Sequence, residues 1–355
     1  MMSTITLAGD YRSALTHFAL YGLAMLAETH HPDAVTLGWS DEVIPKAQLD
    51  IEGVGLDAVA EYILQYSVQL SSVGSWVTVN NEYGSGKKKA IFSPFSPRIR
   101  GIDAQANPYD WHNHQKARFN ALNQLTLDGD LLSLRWIFGL GEAAYWRFLR
   151  KENRPDHGAS RWEMKTRNKG EEFVQYRLRP LCIELSQWSI SDISSGITGV
   201  TLRDTIGKNA IDSRTSTGFT PPGPADVALT FAALLGIACF PVVRKIDQLS
   251  ITPGAWPSDI LHPDNMVLPI FAQKITPARL RAILRSQAFA EAVEQVCGVE
   301  AGIVENNTAS VLGSARSAVW LKDRGVKAVV RFPILLAGSS SAPERQVQYG
   351  TAVPL

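Results

Sequence analysis

The sequence predicts an α+β protein in which a mixed sheet is packed with helices. Apolar residues recur at helical spacing in some segments and as short β-branched runs in others. A composition of 45% hydrophobic and 19% charged residues is typical of a folded globular chain. The proline-rich segment 221–224 is predicted to separate a mixed α/β domain with basic loops, residues 1–220, from a smaller helix-strand domain, residues 225–338, and a tail, residues 339–355.

The first elements alternate between strand and helix. Residues 5–7 and 35–39 read as strands. Between them, Leu15, Phe18, Gly22 and Met25 repeat at helical spacing, with Asp10 as the expected helix cap. Leu56, Val59, Ala60, Ile63 and Leu64 predict a second amphipathic helix.

The middle of the chain is rich in turn-forming residues. Residues 80–110 and 153–170 are predicted to be loops, and residues 190–224 are rich in Ser, Thr, Gly and Asp up to the proline-rich boundary. Helices are expected over 112–125, over 131–149 with an interruption at Gly139-Leu140-Gly141, and over 173–188 despite Pro180.

The last third begins with a helix that is apolar nearly all round, residues 225–236, followed by an expected strand at 238–243. Thr276-Pro277 is a favourable helix start, with Leu280, Ile283 and Leu284 on its apolar face. Residues 328–332 predict a late strand, and residues 338–341 are expected to be mobile.

The three cysteines are widely separated and have no metal-ligand spacing, so a disulfide framework is not expected. The first residues have no leader pattern, and no window of about 18 apolar residues suggests a membrane span. We therefore expect a cytoplasmic protein without a membrane partner.

Charge is distributed unevenly. The formal net charge is only +1, but residues 84–179 contain 18 Lys and Arg against 10 Asp and Glu. This surplus of cations favours a surface that faces a polyanion, because phosphate contacts release counterions. A solvated face paired with the acidic remainder of the chain is the alternative.

Three short segments carry the candidate nucleic-acid-binding residues. A glycine loop presents one lysine run, a Ser/Pro/Phe segment carries two arginines, and a polar loop around Trp162 supplies the rest; Phe95 and Trp162 themselves are expected in the core. The candidates are Lys87, Lys88, Lys89, Arg98, Arg100, Arg161, Lys165, Arg167 and Lys169.

Motifs for catalysis are weak. The segment from Gly84 to Lys88 lacks the GxxxxGK[ST] spacing of a phosphate loop, because Lys88 stands where Ser or Thr should bind magnesium. No nucleophile elbow or paired carboxylates are evident. The pairs His30/His31 and His112/His114 leave a metal-dependent nuclease or hydrolase open as an alternative. We expect no catalytic residue, no metal and no cofactor.

Two further blocks resemble a known family. Residues 14–24 with Leu37-Gly38-Trp39, and residues 225–237 with Phe240-Pro241, are similar to segments of CRISPR-associated Cascade subunits of the type I-G (formerly I-U) group, in a large-subunit-like role.

The resemblance implies a non-catalytic subunit of a crRNA-guided complex. Such a subunit would contact target double-stranded DNA beside the protospacer, help to open the duplex and help to recruit a helicase-nuclease. Its partners would be target DNA, crRNA and other Cascade subunits. A protein-binding scaffold whose basic middle meets an acidic partner is the remaining alternative.

Overall fold

The computed structural model confirms an α+β fold. It describes residues 2–84, 90–97, 102, 107–144, 147–149, 152–164, 173–213, 217–245, 248–300, 308–339 and 342–355. Helices dominate, and the strands form small antiparallel sheets.

The N-terminal sheet has three antiparallel strands, β1 (Met2–Thr6), β2 (Val35–Trp39) and β3 (Ala47–Glu52), in the order β1-β3-β2. Leu37 and Leu49 face each other across β2 and β3 and are fully buried. The predicted strand at 35–39 has the predicted bounds. β3 was not predicted from the sequence, although the alternation of Gln48 and Asp50 with apolar residues is typical of a half-buried strand.

Helix α1 (Ala14–His30) is buried over most of its length. Ser13, not Asp10, caps it by accepting a hydrogen bond from the Thr16 amide at 3.3 Å. The predicted cap was wrong because both Asp10 carboxylate oxygens accept hydrogen bonds from the Arg12 side chain.

Helix α7 (Val227–Leu235) lies against α1 and is continued by a 3-10 turn, Gly236–Cys239. The helix confirms the prediction, but the strand expected at 238–243 was wrong. A short, fully buried apolar run has no polar face, so its period could not distinguish a strand from a helical turn.

A second sheet is formed by later strands in the order β11-β10-β9-β8, with β12 also paired to β10. Its strands are β8 (Ala255–Trp256), β9 (Asn265–Phe271), β10 (Val326–Ser339), β11 (Ala342–Val347) and β12 (Thr351–Pro354). The expected tail, residues 339–355, is therefore largely part of the sheet. Backbone hydrogen bonds between Leu37 and Ile275 link this half of the chain to β2.

The remaining elements surround these layers. The helices are α2 (Leu56–Ser71), α3 (Pro108–Leu127), α4 (Leu131–Leu140), α5 (Arg179–Leu185), α6 (Ile190–Thr198), α8 (Pro277–Leu284), α9 (Gln287–Glu300) and α10 (Thr308–Asp323). The short strands are β4 (Asn81–Tyr83), β5 (Ala90–Phe92), β6 (Phe148–Leu149) and β7 (Glu152–Asn153). Helix α6 lies in the Ser/Thr/Gly/Asp-rich segment, for which no helix was predicted.

One hydrophobic core crosses the predicted domain boundary. Phe18 of α1 stacks on Phe219 at 4.1 Å and on Phe240 at 4.9 Å between ring centroids. The segment 221–224 therefore does not separate two cores in this structure. No helix within the described ranges is long and apolar enough to cross a bilayer.

Candidate nucleic-acid interface

Most of the predicted phosphate-binding residues lie outside the described part of the chain: Lys87, Lys88, Lys89, Arg98, Arg100, Lys165, Arg167 and Lys169. Arg161 is described, and it is only 1% exposed. Its guanidinium donates hydrogen bonds to the carbonyl oxygens of Ala159 at 2.9 Å and Ser250 at 3.2 Å. Arg161 thus supports the interior and does not face solvent, whereas Phe95 and Trp162 are buried as expected.

The segment with the lysine run joins two paired strands. Tyr83 of β4 lies opposite Ala90 of β5, so residues 85–89 leave and re-enter the fold at neighbouring positions. Tyr83 also stacks on Phe92, with ring centroids 4.5 Å apart and an interplanar angle of 17°. Both ends of the lysine segment are therefore fixed by a short, well-packed hairpin.

The hairpin is attached to the start of α3. The Gly84 amide donates a hydrogen bond to the Asp110 carboxylate at 2.6 Å, and the Tyr83 hydroxyl lies 2.9 Å from Nδ1 of His114. Burial, with a smaller effect from Arg118, lowers the pKa of His114 to about 3. A neutral imidazole can accept the tyrosine hydroxyl at Nδ1, so this contact holds at physiological pH.

The ends of the other two basic segments meet near the same hairpin. Ile102, which follows the segment containing Arg98 and Arg100, belongs to a small buried cluster with Tyr83 and Phe92. The amide of Val174, which closes the segment containing Lys165 to Lys169, donates to the Ser96 hydroxyl at 3.2 Å. At least one described residue flanking each of the three basic segments thus lies in this part of the molecule.

A buried arginine holds this region together. Arg118 of α3 donates to the carbonyl oxygens of Pro94 and Gly141, both at 3.3 Å, and its guanidinium lies 5.3 Å from the Phe95 ring centroid. Glu142 lies 3.6 Å from Arg118 Nε and also pairs with Arg244 at 2.6 Å. Burial lowers the pKa of Arg118 to about 10, which leaves the side chain protonated at neutral pH. Sequence reasoning missed this role because the spacing of a lone arginine does not reveal burial.

The outer face of α3 contains no carboxylate. Residues 111–127 include no Asp or Glu, and His114 and Arg118 are the buried side chains of this helix. Its exposed positions combine aromatic, cationic and amide side chains; they include Tyr109, His112, Lys116, Phe119, Asn120 and Asn123. Cations bind phosphates, aromatic rings stack on bases, and amides pair with base edges. The run without acidic residues was the sequence signal for this face.

The histidine pairs considered as metal ligands are used otherwise. His30 stacks on Tyr62 with centroids 3.9 Å apart, and His31 Nε2 lies 2.6 Å from the Tyr62 hydroxyl. His112 is exposed, whereas His114 is buried against Tyr83. The described residues include no group of three or more His, Cys, Asp or Glu side chains suited to hold a metal ion.

Comparison with known proteins adds no identification. No protein-family model matches the chain, and no curated protein matches it either.

Proposed function

We propose that this protein is a non-catalytic nucleic-acid-binding subunit of a crRNA-guided CRISPR surveillance complex. In this role it contacts target DNA near the protospacer-adjacent motif, helps to open the duplex and helps to recruit the helicase-nuclease. The other Cascade subunits and the crRNA are its partners. The observation that supports the binding role most strongly is that described residues flanking the three basic segments lie close together around the hairpin of β4 and β5, at the start of α3.

Chain length limits where the lysine run can lie. Five residues joining paired strands cannot carry a Cα atom more than about 10 Å from the strand ends. The described strand end that precedes Lys87, Lys88 and Lys89 is bonded to the start of α3, whose exposed Lys116 adds another cation. Phosphates that bind such a surface release condensed counterions, so affinity should fall steeply as salt rises.

In a crRNA-guided complex, the guide RNA and the protein recognise different features of the target. Base pairing with the crRNA reads most of the target sequence, so the protein has to recognise only a short adjacent motif and the backbone. A helix that exposes one lysine, several amides and aromatic rings suits that task.

Replacing Lys87, Lys88 and Lys89 together by alanine should weaken binding to duplex DNA. If each lysine contacts one phosphate, the slope of log affinity against log salt should become shallower by up to about 2.7. Fluorescence anisotropy with a labelled duplex, measured at several salt concentrations, gives both quantities.

Lys46→Ala combined with Lys208→Ala serves as the control. Both lysines are exposed and lie in other parts of the fold, so their removal should leave the salt slope unchanged. Equal affinity and slope for the wild-type protein and the Lys87/Lys88/Lys89 variant would remove the lysine segment from the interface.

A protein-binding scaffold is the second candidate, and one observation favours it. Apolar side chains are exposed around the end of α3, with Phe119 at 63%, Leu127 at 81% and Leu131 at 57% exposure. Such side chains are suited to bury against a partner protein. A scaffold of this kind would show no affinity for DNA or guide RNA even at low salt.

A further inference from the structure

A second cationic surface lies on the C-terminal half of the protein. Residues 272–290 contain four cations and no carboxylate. Two of these cations are neutralised inside the fold: Lys274 pairs with Asp50 at 2.5 Å, and Arg281 forms a two-pronged ion pair with Glu28 at 2.6 and 3.0 Å. The other two, Arg279 and Arg285, are exposed.

The geometry of α8 explains this division. Thr276 caps the helix and Pro277 begins it, while Leu280, Ile283 and Leu284 are buried. The side chains of Arg279 and Arg285 lie off this apolar side and reach solvent. The helix therefore presents arginines outward although it is packed on the core.

Helix α10 contributes Arg316, and Arg324 directly follows its last residue, Asp323. Arg316 and Trp320 are four residues apart and so lie on one side of the helix. The Arg324 guanidinium lies 3.6 Å from the Trp320 ring centroid, and its Nη1 donates to the Trp320 carbonyl oxygen at 3.2 Å. This cation–π contact fixes the guanidinium and leaves its positive charge without a counter-charge.

The two helices share a groove of about 550 Å³. It is lined by Ala278, Arg279, Ala282 and Ile283 of α8 and by Asp323 and Arg324 at the end of α10. Within the part of the chain that the structure describes, Arg279, Arg285, Arg316 and Arg324 form no ion pair. The charges of Arg279 and Arg324, the two arginines that line the groove, thus remain available to an external anion.

We infer that this arginine groove binds the sugar-phosphate backbone of a single-stranded nucleic acid. The arginines contributed by the two helices can each bind a phosphate, and the small side chains of Ala278 and Ala282 on the α8 side leave room for the sugars. A groove that holds one backbone, with a guanidinium fixed on an indole, matches the combination of cations and aromatic rings used to bind single strands. The inference rests on the proposed function for the class of partner but uses different residues.

The test is the variant Arg279→Gln/Arg324→Gln, measured by fluorescence anisotropy with a labelled, unstructured 20-nucleotide RNA over a range of salt concentrations. Binding should weaken. The slope of log affinity against log salt should become shallower by about 1.4, which corresponds to two lost phosphate contacts on a single strand. Asp323→Asn removes the carboxylate at the edge of the groove and should tighten binding, an effect that a purely structural role would not produce.

Two further variants keep the result interpretable. Lys46→Gln/Lys208→Gln removes the same charge from other exposed positions and should leave the slope unchanged. Arg279→Gln alone changes an exposed side chain, so it should keep the wild-type melting temperature and make the slope shallower by about 0.7.

If Arg279→Gln and the double arginine variant bind the RNA with unchanged affinity and salt slope, the groove does not bind nucleic acid. This conclusion would hold whatever the result with duplex DNA. Conversely, the Lys87/Lys88/Lys89 variant should lose duplex affinity while Arg279 and Arg324 still bind the single strand. Failure of the proposed duplex interface would therefore be seen separately from failure of the groove.

Discussion

At the scale of single residues, the basic middle of the chain contains buried cations as well as exposed ones. Arg118 and Arg161 are buried and donate to backbone carbonyl oxygens, and Arg345 from β11 joins them by donating to the carbonyl oxygens of Arg161 and Glu163. These arginines fix loops in place. A count of cations along the sequence includes them together with the exposed ones, so Arg161 was taken for a phosphate ligand when its role in this structure is internal.

Two buried histidines should make stability depend on pH. Burial lowers the pKa of His17 and of His114 to about 3 in the folded protein. The unfolded chain binds a proton near pH 6.5, so each histidine stabilises the fold fully above that pH, and this stabilisation is lost as pH falls from 6.5 towards 3. The free energy of unfolding should decrease by up to about 1.4 kcal/mol per pH unit for each histidine.

His114→Gln tests this pH dependence. Its free energy of unfolding, from urea denaturation between pH 7 and pH 4, should decrease less steeply with falling pH than that of the wild-type protein. His112→Gln, on the exposed side of the same helix, is the matched control. Identical pH slopes for His114→Gln and the wild-type protein would contradict the assignment of His114 as a neutral, buried group.

At the scale of elements, prediction succeeded where a cap and a clear apolar side coincide. Helix α8 begins where Thr276-Pro277 indicated, and β2 has the predicted bounds. Prediction failed where tertiary packing decides the outcome. Helix α6 depends on a capping box between Ser189 and Asp192 inside a polar segment. The strands after residue 341, β11 and β12, form by pairing with the distant strand β10.

The crossing of α1 and α7 should tolerate no added methyl group. A Cβ placed on Gly22 would overlap the Ala232 carbonyl oxygen and crowd the Gly236 amide, both of which are backbone atoms that cannot move aside. Gly22→Ala should therefore destabilise the protein by about 1–3 kcal/mol or more, although alanine favours the helix. Urea denaturation measures the difference.

Gly55→Ala is the matched control for that crossing. A Cβ at Gly55, the residue before α2, would meet no atom within 4 Å, and its φ of −91° suits any residue. Its free energy of unfolding should stay within about 0.5 kcal/mol of the wild-type value. A Gly22→Ala variant as stable as Gly55→Ala would show that the two helices can separate at little cost.

At the scale of the whole molecule, the sequence predicted the α+β class but not how the halves combine. The proline-rich segment Pro221-Pro222-Gly223-Pro224 suggested a boundary between two domains. In the structure, α1, which precedes this segment, packs along α7, which follows it. The candidate interface was predictable as a basic, loop-rich region. Its convergence was not, because that depends on contacts such as Gly84 with Asp110 and Ser96 with Val174, which join distant positions.

The shared core predicts how fragments of the chain should fold when they are expressed separately. Residues 1–220 alone would leave the side of α1 that packs on α7 exposed to water, including Phe18, which loses its stacking partner Phe240. Expressed alone, residues 1–220 should show no cooperative unfolding transition in urea. Co-expressed with residues 221–355, they should form a complex that unfolds cooperatively, because Pro222 and Pro224 are exposed and a chain break there disturbs little packing. Cooperative unfolding of residues 1–220 on their own would instead support two independent domains.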